Sequence, residues 1–172
     1  MNNIKIIAGI LFYITRIVAV IYLIITFYAL LSILTEWNYI LKDNGKYFSV
    51  CIPFTEKPFL VGENYWSYKL FSFIIPIGLY GLFFLLVSNI FKVFKQPKLF
   101  TQYGVSQLNL FSVTNIIIPP IAILLASIFS GDLENGIELL AVVHFILGVF
   151  AYFLSAIFKQ GLSLQNEQDL FI

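Results

Sequence analysis

Three side chains stand out because they carry polar or ionisable groups inside long apolar runs: Arg16, Asn115 and His144. Such groups are costly at membrane depth, so they are the first candidates for function. His144 could bind a proton, a ligand or a partner side chain. More often such a residue is neutral and satisfied by a neighbour's hydroxyl or carbonyl. Arg16 lies near mid-membrane if its span starts at Ile6, or marks the inner end of a span over 17–34, from which an arginine can snorkel to the surface. Nothing near these residues composes a catalytic set. There is no HExxH, no Ser–His or paired-Asp arrangement within the apolar runs and no glycine-rich phosphate loop. The single cysteine, Cys51, can form neither an internal disulfide nor a cysteine zinc site alone. No catalytic, cofactor or metal site is expected, and no enzyme. Proton-coupled transport commonly uses a buried Asp or Glu, which the apolar runs lack.

The elements that must position these residues follow from composition. The chain is 60% hydrophobic and 11% charged over 172 residues, where a soluble domain of this length is about a quarter charged. Disorder is excluded by the same figures. A net charge of +1 gives no field that argues for direct nucleic-acid contact. Crossing a bilayer core takes roughly 20 apolar residues as helix. Four stretches meet that requirement, at about 6–34, 70–91, 108–129 and 139–158. The last three contain no Asp, Glu, Lys or Arg. Backbone polar groups in hydrocarbon must be satisfied within each segment, so these are helices. The first run is too long for a cleavable signal and no small-residue cleavage site follows it, so it is expected to stay as an anchor. The fold expected is an all-α membrane protein, one domain over 1–172, built as a four-transmembrane-helix bundle.

The connections set an orientation. Loop 92–107 carries Lys92, Lys95 and Lys98 and no acid, whereas 130–138 carries Asp132, Glu134 and Glu138 and no base. The positive-inside rule puts the lysine loop, both termini and tail 159–172 in the cytoplasm of a cell (inner or plasma) membrane, and loop 35–69 outside. That outer loop has room for its own structure. Asp43-Asn44-Gly45 is a turn signal between 39–41 and 47–52, so either a small β-hairpin or a helix extension with an irregular cap forms there. Trp37, Tyr39, Tyr65, Trp66 and Tyr68 flank the loop and read as rings at headgroup depth.

Membrane helices associate through small and polar residues, because lipid is as apolar as leucine. Each helix has such a stripe: Thr15, Ala19, Tyr22, Thr26 and Ala29; Gly78, Gly81, Leu85 and Ser88; Ser112, Asn115, Pro119, Ala122 and Ala126; Ala141, His144, Gly148, Ala151 and Ser155. These four seams predict a compact bundle. Pro119-Pro120 deprives the carbonyls of Asn115 and Ile116 of their helical donors and predicts a kink. The Asn115 amide could serve the freed backbone or bond to another helix. Pro76 predicts a bend in the second helix.

Two polar segments are motif-like. Thr101 can cap the third helix, with Phe100 as a staple-like contact. Gly161 can end the fourth, after which Leu164, Leu170 and Ile172 stand beside Glu167 and Asp169. This acidic and apolar tail could dock on Lys92, Lys95 and Lys98, or receive a cytoplasmic protein. The loop (Phe100, Thr101, Val105, Leu108) and the tail (Gly161, Leu164, Glu167, Asp169, Leu170, Ile172), with four helices and a long first outer loop, resemble a bacterial four-helix membrane family catalogued as domain of unknown function 2975. Phe171 and Tyr103-Gly104 depart from its pattern. The resemblance implies no activity. It does suggest a membrane-bound partner for a small cytoplasmic helix-turn-helix regulator, with Phe100, Thr101, Gly161, Leu164, Glu167, Asp169 and Leu170 as candidate interaction residues. The alternative is a transporter or channel for a small solute along the polar seam of Asn115, Pro119 and His144.

Overall fold

In the computed structural model, which describes residues 2–131 and 136–169, four long helices carry a small sheet at one end. Helix α1 spans Asn2–Thr35, α2 spans Ile75–Lys95, α3 spans Gln102–Ser130 and α4 spans Ile137–Asp169. With the π-helical segment Tyr68–Ile74 that leads into α2, all four are long and apolar enough to cross a membrane. Their outward faces are Ile, Leu, Val and Phe: Ile6, Ile24, Phe27, Leu124, Ile146 and Phe150 are all about half exposed or more.

The helices run past the apolar stretches at most ends. Hydropathy marks where charge begins, whereas backbone hydrogen bonding continues into polar sequence. The 34 residues of α1 make a rod of about 51 Å. Gly161 does not end α4, which continues to Asp169. A Cβ at Gly161 would sit 2.7 Å from the Phe100 ring, so this glycine permits close approach instead of stopping a helix. Asp132 and Glu134 of the acidic turn, and Leu170 and Ile172 of the tail, lie outside the described residues, as does the side chain of Asp169.

The predicted stripes are the inward faces. Ala19, Ala29, Ser88, Ser112, Asn115, Ala126, Gly148, Ala151 and Ser155 are buried. Their pairing differs from a closed bundle, however. α1 packs along α2, with Gly81 against Leu23 and Gly78 against Thr26, and α3 packs along α4. α2 meets α3 more lightly, and α1 has no extended contact with α3 or α4. The molecule is two helical hairpins side by side. A stripe marks which face of a helix is inward, not which partner it meets. Pro119 and Pro120 lie within a continuous α3. Pro76 sits in the first turn of α2, where its missing N–H falls at the change from π to α spacing.

Loop 36–67 folds as a three-stranded antiparallel meander, β1 (Tyr39–Lys42), β2 (Tyr47–Cys51) and β3 (Pro58–Glu63). Of the two forms expected around Asp43-Asn44-Gly45, the hairpin is the one that forms, with all three residues at positive φ and Lys42 opposite Tyr47. β3 is an element the sequence did not signal, and it contains Pro58 and Gly62. Pro58 opens an edge strand, where its missing N–H costs little. At Gly62 a Cβ would meet the Phe48 and Tyr68 rings at 2.8 Å. The sheet seats Phe48 and Val50 against Ala29, Phe73 and Ile74, and Tyr28 donates its hydroxyl to the Cys51 carbonyl at 2.6 Å. Tyr39 and Tyr68 thus belong to this core, whereas Trp37 and Trp66 remain exposed.

Candidate functional site

The structure joins two of the three polar residues singled out in the apolar runs. Asn115 on α3 donates Nδ2–H to the Phe111 carbonyl at 2.8 Å, and its Oδ1 lies 2.7 Å from His144 Nδ1 on α4. A carbonyl can only accept, so the Phe111 contact fixes the amide orientation and turns Oδ1 toward the imidazole. Nδ1 must then carry the proton, which leaves Nε2 as an acceptor when the ring is neutral. The amide therefore bonds to another helix and does not serve the carbonyls freed by the two prolines. The His144 ring is held edge-to-face by Phe83, with centroids 5.0 Å apart, and lies beside Tyr80. Close approach of α3 and α4 just beyond it depends on Gly148, which faces the backbone of Ser112 and Ile116.

His144 and Asn115 line a cavity of about 110 Å³ between α2, α3 and α4. Its walls are otherwise mainly apolar, including Leu79, Leu82, Ile118, Pro119 and Ala122, with Ser72, Tyr80 and Thr114 adding hydroxyls. Leu86, Phe111 and Ala151 pack together beyond it on the side of the lysine loop. Removing the half-buried Asn115–His144 bond should weaken the α3–α4 pairing modestly. Interhelical hydrogen bonds in membrane proteins average about 0.6 kcal/mol and reach about 1.7. A double-mutant cycle of Asn115→Ala and His144→Ala, read by unfolding in detergent, should return a coupling in that range. Strictly additive losses would show that the pair is not coupled.

Arg16 belongs to a different site. Its guanidinium reaches Asn89 Oδ1 on α2 at 3.4 Å, and Asn89 Nδ2 donates to Gln107 Oε1 on α3 at 3.0 Å. This polar chain ties three helices together about 9 Å inside the Lys95 end of α2. Lys95 lies over the Phe12 and Tyr13 rings at 4.5 and 4.6 Å, and Lys92 lies over Tyr103. Arg16 thus sits toward the lysine end, although α1 is already helical well before it. Asn89 and Gln107 were missed by the sequence reading. The signal for Asn89 was a lone amide near the end of an otherwise apolar run.

The loop and tail residues meet at the lysine end. Thr101 caps α3, its hydroxyl accepting from the Gly104 N–H at 3.1 Å, as predicted. Phe100 reaches across to α4, edge-to-face with Phe158 at 5.4 Å and flat against Gly161. Val93, Leu108 and Phe158 form the buried centre beneath, and Ser155 donates to the Val105 carbonyl at 3.3 Å. Past Gly161 the helix is polar. There Leu164 is 61% exposed, and Ser163 donates to Glu167 at 3.4 Å. Among the described residues, no three His, Cys, Asp or Glu side chains cluster as a metal site would require. No protein-family model, no curated protein and no solved structure matches the chain.

Proposed function

We propose that this is a multi-pass integral membrane protein without enzymatic activity, whose lysine loop and helical tail form a docking surface for a cytoplasmic protein. The four apolar helices, with Ile, Leu and Phe facing outward, support a bilayer-embedded bundle. α1 starts and α4 finishes at the lysine end, which under the positive-inside rule supports a cytoplasmic side for both.

The observation that carries the docking reading is Leu164. It lies beyond the apolar part of α4, on a helix flanked by Ser163, Gln165, Asn166 and Glu167, and its side chain is mostly exposed. Among the described residues this leucine is left mostly uncovered, in a stretch whose polar neighbours do not suit lipid. The packed platform beneath, Phe100 on Phe158 and Gly161, holds the projecting helix at a fixed angle to the loop. Resemblance of the loop and tail to domain of unknown function 2975 points to a small helix-turn-helix regulator as the partner. The lining of the His144 cavity favours no conduit, since a polar solute would have to pass the apolar layer of Leu86, Phe111 and Ala151.

The test is copurification with the products of neighbouring genes, for the full chain, for a chain ending at Gly161 and for Leu164→Glu. A regulator recovered with the full chain and lost from both variants is the expected result. Recovery that ignores both changes, or no partner at all, overturns the reading.

A further inference from the structure

We infer that the cavity between α2, α3 and α4 is a binding site for a small hydroxyl-bearing apolar molecule, a simple alcohol or phenol, which His144 holds by accepting its hydroxyl proton in a hydrogen bond. This site is separate from the docking surface and does not depend on it.

The size of the occupant follows from the cavity. At about 110 Å³ it is somewhat smaller than the roughly 150 Å³ apolar cavity that admits benzene in an engineered protein, so the occupant is a single small ring or a short branched chain. Its chemistry follows from the polar groups. Asn115 occupies His144 Nδ1, and Nε2 has no hydrogen-bond partner among the described residues. The Ser72 hydroxyl, also on the lining, is buried without a partner among the described residues. A neutral imidazole nitrogen offers one lone pair, which one O–H donor satisfies. An anion would meet that lone pair, and a cation would be stripped of water with no carboxylate among the described lining residues to replace it. A sugar would bring more polar groups than the walls can satisfy. Entry from the lipid side is short, because Leu140 both lines the cavity and is 44% exposed on the outer surface.

His144 is the single histidine, so labelling with ¹⁵N-histidine gives the resonances of one ring. The protein is placed in phosphatidylcholine nanodiscs, whose lipid has no hydroxyl donor, and titrated with phenol or with benzene. Phenol should move the Nε2 resonance saturably and bind at least tenfold tighter than benzene when both affinities are read from the probes' own saturation-transfer signals, and His144→Phe, read from the same probe signals, should abolish that preference. Ala122→Phe, which fills the cavity, should leave the Nε2 signal in place and remove its response to phenol. A response that never saturates, equal affinities for the two probes, or a phenol response that survives Ala122→Phe overturns the assignment.

Discussion

Gly148→Val is expected to be among the most destabilising single changes in the helical part of the protein. A Cβ at this position would lie 2.7 Å from Ile116 Cγ1, 3.0 Å from the Ser112 carbonyl oxygen and 3.2 Å from the Ile116 nitrogen. Two of those three neighbours are backbone, and a backbone cannot rotate away. The strain is relieved only if α3 and α4 separate along the seam that also holds Asn115 against His144 and Ser155 against Val105. Overpacking a close contact costs about 1–3 kcal/mol, occasionally more, and the branched valine belongs at the upper end. The control is Gly78→Ala, whose Cβ would meet the Thr26 methyl at 3.3 Å, a movable side chain. Unfolding in a mixed detergent series should show a large loss for Gly148→Val and a small change for Gly78→Ala. Equal effects would mean that the α3–α4 contact is looser than the structure has it.

Phe48→Ala is expected to unseat the sheet. Phe48 is fully buried, stacked on Tyr39 at 5.7 Å and edge-to-face with Phe73 at 5.0 Å, with the Lys69 ammonium 5.5 Å from its ring. It is the largest side chain that is completely enclosed. Truncating a buried phenylalanine costs about 3–5 kcal/mol. The native reporter is Cys51, the single thiol, 1% exposed at the end of the same strand. Labelling it requires β2 to lift away, so the rate follows the opening equilibrium. At tenfold per about 1.4 kcal/mol, the variant should react with a water-soluble maleimide about a hundredfold faster or more. An unchanged rate would show that Phe48 does not hold the sheet on the helices.

What could be read from the residues alone divides along physical lines. Helix existence was legible because apolar runs of this length have few alternatives. The inward faces were legible because Ala19, Gly81, Asn115 and Gly148 interrupt otherwise uniform aliphatic surfaces. Partners were not legible. A stripe on α1 looks the same whether it meets one helix or two, and α1 turned out to pack along α2 without flanking α4. Gly161 misled because a helical glycine at a crowded contact looks like one that ends a helix. β3 carried no signal: Pro58 and Gly62 find their place only through the edge position and the rings of Phe48 and Tyr68. At the cavity, Asn115 and His144 were each marked, but their bond needed the register between α3 and α4, and Tyr80 and Phe83 carried no signal beyond being aromatic.

Photo-crosslinking in intact cells tests most directly whether the tail helix is the proposed cytoplasmic docking surface. A benzophenone amino acid is placed at Leu164 and, for comparison, at Leu139 near the opposite end of α4. The account predicts a discrete adduct with a soluble cytoplasmic protein from position 164 and only lipid adducts from position 139. Lipid adducts alone from position 164, or the soluble protein captured equally from both positions, would contradict it.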